Sequence, residues 1–281
     1  MNIKPVTKTR LNEEPPLEET LRNFVKEQNL TFNEKTRKYD SVKNVVCDKR
    51  VIADDGDGFK IPFGIIFGNF IAKNCGLTSL KHAPQIVIRD FDCSLNALPT
   101  LEGAPSEVGG FNCTGNRIET LEHAPQKVGG DFYCSGNNLT SLEGAPQKIS
   151  GEFRCHNNKL KNLIGAPQEV KGKFDCSYNE LTSLEGSPVI VGTSFDCNTN
   201  RLNSLMHAPQ KVGGYFDCSN NSIKTLEGAP QSIGGELYCS YNELKNLEHL
   251  PKMPRGASIR CRGNRFRIDD IRTPSLDIKD M

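Results

Sequence analysis

A 21-residue period constrains this chain more than any other feature. Residues 131–151 read DFYCSGNNLTSLEGAPQKISG and residues 152–172 read EFRCHNNKLKNLIGAPQEVKG, two copies of one frame. Cysteines recur at Cys93, Cys113, Cys134, Cys155, Cys176, Cys197, Cys218, Cys239 and Cys261, with Ala72 in the same place one step earlier. Three residues after each cysteine stands Asn96, Asn116, Asn137, Asn158, Asn179, Asn200, Asn221, Asn242 or Asn264. Two residues before it stands Phe91, Phe111, Phe132, Phe153, Phe174, Phe195, Phe216, Leu237 or Ile259. Leu or Ile follows the cysteine by five residues in most copies, from Leu98 to Leu244, with Phe266 in the last. A unit this short cannot bury a hydrophobic face alone, so neighbouring copies must stack and share one continuous core. For a chain of 281 residues, this overrides the expectation of one large or two ordinary domains.

The alternation Phe-x-Cys predicts a short strand with both side chains facing inward. The asparagine falls where the chain leaves the strand and can satisfy backbone groups there. Only about a dozen residues, rich in Gly and Pro, separate one strand from the next, too few and too broken for a stable helix. The whole frame, Phe-x-Cys-x-x-Asn-x-Leu-x-x-Leu, resembles the leucine-rich-repeat pattern. That resemblance covers residues 68–266 and implies a mainly-β, single curved solenoid, with a parallel sheet on the concave face and little helix on the convex one. Within that group, Pro-x-x-Val and the 20- to 21-residue period resemble the short bacterial type found in the recognition domains of secreted ubiquitin-ligase effectors. The wording GAPQKVGGDFYCSGNNLTSLE is similar to repeats in bacteriophage proteins.

Eleven cysteines admit three readings: disulfides, metal ligands or a buried ladder. In-register parallel strands set neighbouring Cβ vectors side by side, which suits a disulfide poorly. Zinc needs converging ligand pairs, which a linear stack does not supply. A buried, reduced ladder of small apolar residues is the expectation. Cys75 is the exception, because it occupies an asparagine position. The odd cysteine count and the charged opening MNIKPVTKTR, without an apolar signal core, point to a reducing, cytoplasmic setting. No stretch reaches the roughly 20 apolar residues of a membrane span, so no membrane association is expected.

Three segments are expected. Residues 1–67 form an N-terminal segment and cap, with a helix over about 17–28 and a degenerate first strand near 44–52; residues 68–266 form the array; residues 267–281 form a C-terminal cap or tail. DDGDG at Asp54 to Gly58 lacks the spacing and terminal glutamate of a calcium loop and reads as a solvated turn. His82, His123, His207 and His249 stand where other copies have glycine, which suggests a turn of unusual backbone angles rather than a metal site. No phosphate-binding loop or catalytic constellation is legible. The chain therefore reads as a non-enzyme without metal or cofactor.

Function is expected on the outward-facing strand positions. These include Asp175, Asp196 and Asp217 on successive strands, with Tyr133, Arg154, Tyr178, Tyr215, Tyr238 and Tyr241 around them. Like charges on adjacent strands repel by a few tenths to about 1 kcal/mol per pair, and tyrosine and arginine are enriched at interface hot spots. The expectation is a protein partner with a basic surface, and replacing the three aspartates should leave stability equal or slightly higher. The phage-type resemblance implies a bacterial host factor as that partner. A secondary basic patch comprises Arg255, Arg260, Arg262, Arg265 and Arg267, with Arg272 beyond it. Residues 1–45 carry 9 basic and 7 acidic groups, 46–254 carry 19 and 23, and 255–281 carry 7 and 4, giving +2, −4 and +3. That distribution lacks the basic stripe of a general nucleic-acid binder. A nucleic-acid binder using the arginine patch, or the recognition module of a secreted effector lacking its catalytic domain, are the alternatives.

Overall fold

The computed structural model describes residues 17–266 and 277–279. One long sheet of 16 strands runs the length of the molecule, and across the array its strands are parallel and in register. Phe153 pairs with Phe174, Phe174 with Phe195 and Phe195 with Phe216, so equivalent positions of successive repeats lie side by side.

Three ladders follow from that register. The phenylalanine rings from Phe70 to Phe216 stack in sequence, with centroids 5.3 to 5.7 Å apart. The cysteines from Cys93 to Cys239 are fully buried beside them. All eleven are free thiols. Several donate a weak hydrogen bond to the next strand, as Cys176 Sγ does to the Asp196 carbonyl at 3.3 Å. Burial pushes the Cys155 and Cys176 thiols well above their ordinary range.

The third ladder is asparagine. Asn158 Nδ2 donates to the carbonyls of Cys134 and Cys155 at 3.1 and 3.0 Å, and its Oδ1 accepts from the Leu139 amide at 3.0 Å. Asn116, Asn137, Asn179 and Asn242 repeat the arrangement. Each side chain thus satisfies backbone groups of two adjacent copies at the point where the strand ends, groups that would otherwise be orphaned in a dry interior.

The return side of each repeat is more regular than expected. The Val or Ile three residues after each proline forms a second, five-stranded parallel sheet, from Lys148–Ile149 through Ser232–Ile233. Every such residue from Ile149 to Ile233 is buried. His82, His123, His207 and His249 adopt φ of 63° to 68°, matching the left-handed glycines Gly103, Gly144 and Gly165 at the same step, as the glycine-for-histidine exchange suggested.

At the N-terminal end, the helix Glu19–Glu27 buries Leu21 and Phe24. The hairpin Thr31–Asn33 and Lys38–Ser41 is antiparallel, and its second strand pairs in parallel with Phe63–Ile66. Val45–Val46 pairs with Phe70–Ile71. The hairpin, not foreseen from sequence, turns the last exposed edge into a short antiparallel strand. Asp54 and Asp57 of the acidic turn pair with Lys60 and Lys81 at 2.9 and 3.6 Å, so their carboxylates do not converge on one point. At the other end, Ser258–Arg260 pairs with Asp277–Lys279. Arg267, Arg272 and most of the expected C-terminal cap lie outside the described residues.

Two outcomes are expected. Asn158→Ala leaves the buried Leu139 amide without its acceptor and removes one of two asparagine donors from the Cys134 and Cys155 carbonyls, which Asn137 and Asn179 still serve, and should lower unfolding free energy in denaturant by about 1–3 kcal/mol. A thiol reagent should label half-buried Cys75 in the native protein and reach the ladder cysteines only on unfolding.

Candidate partner-binding face

The residue before each cysteine, and the residue before each phenylalanine, point away from the core onto the outward face of the long sheet. Their side chains form a chain of contacts across strands. Tyr133 donates its hydroxyl to Asp131 at 2.7 Å, and the Arg154 guanidinium lies 5.1 Å from the centre of its ring. Arg154 Nε in turn donates to Glu152 at 2.7 Å. Burial, and then the Asp131 hydrogen bond, push the Tyr133 phenol up.

Farther along, Lys173 Nζ bridges Asp175 at 2.8 Å and Asp196 at 3.0 Å. The same ammonium sits 5.7 Å from the centre of the Tyr215 ring, and Tyr215 meets Tyr238 edge to face with centroids 5.6 Å apart. Tyr238 donates to Glu236, which also accepts from the Ser258 hydroxyl at 2.6 Å. Arg260 covers the Tyr238 ring at 5.4 Å.

This geometry corrects the expected charge repulsion. Asp175 and Asp196 are buried, 8% and 7% exposed, and share one ammonium, so their adjacency is stabilised. Burial alone would raise the Asp175 carboxyl, but Lys173 and the Ser177 hydroxyl hold it below its ordinary value. Only Asp217 carries the expected penalty. It accepts from the Ser219 amide at 2.9 Å, and among the described residues no ion pair holds it. Burial pushes its pKa up to about 6, with the Asp196 charge adding to the effect. The reach of Lys173 across to the second strand was not legible in the sequence.

The other expected residues separate. Tyr178 and Tyr241 sit at the corner just past the strand, at φ of 51° and 53°, and are 59% and 46% exposed. Leu95 and Thr199 share that corner, which other copies fill with glycine or asparagine. A bulky side chain there costs roughly 1–2 kcal/mol relative to glycine, a signal that sequence reading missed because it placed these residues on the flat of the strand. Among the described residues, the arginines do not form a stripe. Arg255 lies exposed in a turn, Arg260 covers Tyr238, Arg262 covers Tyr241 at 5.0 Å, and Arg265 pairs with Glu243 at 2.9 Å.

The in-register strands, the asparagine ladder and the leucine positions together define a leucine-rich-repeat solenoid, a mainly-β fold with one helix among the described residues. No family model and no curated protein matches the sequence. Among solved structures the chain is similar to YopM from Yersinia enterocolitica WA-314, with a TM-score of 0.47 and 17% identity, over 95% of this chain and 69% of that one. No helix among the described residues is long and apolar enough to cross a membrane.

Single substitutions should separate the aspartates. In the folded state Asp217 binds its proton up to about pH 6, whereas in the unfolded chain it releases it near pH 4. Its burden on stability therefore grows as pH rises through that window and is absent below it. Asp217→Asn should raise the melting temperature at pH 7–8 and lose the advantage near pH 4. Asp175→Asn should lower it at neutral pH, because the Asp175 contribution is present above the unfolded carboxylate range and fades as pH falls through its lowered pKa. Thermal melts from pH 3.5 to 8 check both signs.

Proposed function

We propose that this chain is a non-enzymatic protein-binding scaffold whose partner presents a basic surface to the outward face of the long sheet. The observation that carries the reading is the excess of carboxylates there. From residue 131 to 260 the face carries Asp131, Glu152, Asp175, Asp196, Asp217 and Glu236 against Arg154, Lys173 and Arg260, six against three, a formal −3. Asp217, without an ion-pair partner among the described residues, lies on the row beside Tyr215 and Tyr238, so a partner cation would relieve its desolvation while the rings supply apolar area.

The similarity of the repeat wording to bacteriophage proteins extends this reading to its biological setting. On that resemblance the partner is a bacterial host factor, bound and modulated or inhibited in the host cytoplasm, where the ladder thiols stay reduced. The fold supports binding; the setting rests on the resemblance alone.

Affinity capture from bacterial lysate, run in parallel with the native chain and variants, tests the reading. Tyr215→Ala or Tyr238→Ala should weaken partner binding by about 2 kcal/mol, mainly through faster dissociation. Asp217→Asn should slow association most at low salt. A captured partner whose affinity is unchanged in all three variants would place the binding site elsewhere.

A further inference from the structure

The repeat that ends at Phe111 is one residue short. From the buried Val or Ile to the following phenylalanine there are four steps in every neighbouring copy, as from Val87 to Phe91 and from Val128 to Phe132, but three from Val108 to Phe111. The register shift between Val87 and Asp90 marks the same event on the adjacent strand. The missing residue is the outward-facing one. Gly110 takes its place, paired with Asp90 on one side and preceding the strand beside Asp131 on the other.

Without a side chain at Gly110, the sheet face opens into a cavity of about 200 Å³, lined by Asp90, Asp92, Asn112, Asp131 and Tyr133 over the backbone of Phe91 and Phe111. The Asp90 carboxylate leans across the glycine, since a Cβ at Gly110 would lie 2.6 Å from its Oδ1. Asp92 accepts only from the Ser94 amide at 2.9 Å, and Asp131 from Tyr133 and from the Glu152 amide at 2.8 Å. No ion pair among the described residues reaches any of these three carboxylates, whereas Glu152, Asp175 and Asp196 on the same face all have cations.

We propose that this cavity, opened by the one-residue shortening at Gly110, receives the guanidinium of an arginine side chain carried by the protein partner. The proposal rests on the reading of the outward face as the partner surface and adds a second, chemically defined anchor to it. The cavity presents acceptors and no positive charge, so its occupant is a cation. The carboxylates form no cluster suited to a metal ion among the described residues. Asp90 and Asp131 lie on strands two steps apart, about 9–10 Å at sheet spacing. A planar guanidinium with donors on three nitrogens can serve both sides of such a gap, while an ammonium is a single point. The open volume accommodates the planar head and its stem.

Amide NMR of the full chain, titrated with Ac-Gly-Arg-Gly-NH2, tests this directly. Saturable shifts are expected at Gly110, Asn112 and Tyr133. The citrulline counterpart, which keeps the shape and loses the charge, should bind about tenfold more weakly or worse, and the lysine counterpart should fall between them. Gly110→Ser, which fills the cavity at a position of ordinary φ, should abolish the shifts. Asp90→Asn with Asp92→Asn should do so without filling it, which keeps the test valid if the serine variant misfolds. Asp217→Asn should leave them intact. Equal binding of citrulline and arginine, or shifts that survive both the serine and the double-asparagine variants, would overturn the proposal. So would a response to free L-arginine without one to the tripeptide, which would mark a small-molecule site. A longer basic peptide separates the two readings. Contacts confined to residues 173–238 sink the Gly110 anchor alone, and contacts confined to Gly110 sink the aspartate–tyrosine surface while the anchor stands.

Discussion

The fold depends on backbone polar groups that would have no partner in a dry solenoid unless the asparagine ladder supplied one. Each repeat must turn a corner immediately after its strand, and at that corner the sheet hydrogen bonds stop. Asn158 donates to the carbonyls of Cys134 and Cys155 and accepts from Leu139, tying its own copy to the one before it. Because both copies share the satisfaction, the cost of losing one asparagine falls on two repeats, and the stack is held together by the same atoms that end each strand.

With the corners fixed, the interior has little freedom. Strand spacing brings the phenylalanine rings to 5.3–5.7 Å, the range of offset stacking, and leaves a narrow space beside them that a thiol fills. Cysteine repeats for its size and apolar character, and several thiols lend a weak donor to the neighbouring strand. Neither Leu237 nor Ile259 can extend the ring stack, and it is there that the array approaches its C-terminal end.

The outward face is under no such constraint, and it varies from copy to copy. The repeat therefore provides its own standard for what is unusual. Lys173 neutralises two strands at once, Asp217 is left with a raised pKa, and bulky Tyr178 and Tyr241 occupy corners that glycine or asparagine fill elsewhere. The shortened copy at Gly110 belongs to the same list. The raised pKa of Asp217 and the two tyrosine corners set stability against a feature displayed to solvent, and all of these departures lie on one side of the sheet or at its rim.

The sequence by itself determined the period, the inward placement of Phe, Cys and Leu, the role of the asparagines and the left-handed turns at the four histidines. It could do so because in a stacked repeat a residue's tertiary neighbour is its own counterpart about 21 positions away, so the local pattern already encodes the long-range contact. The short copy was visible as a spacing of 20 between Cys93 and Cys113, but not its consequence. The tertiary structure alone decided which outward charges pair, because a flexible lysine can reach either of two strands and only the packed geometry selects both. It likewise decided the antiparallel hairpin at the N-terminal edge, the second sheet on the return side and the cavity over Gly110. These arise from non-repeating neighbours, or from a missing side chain whose effect depends on what leans into the space it leaves.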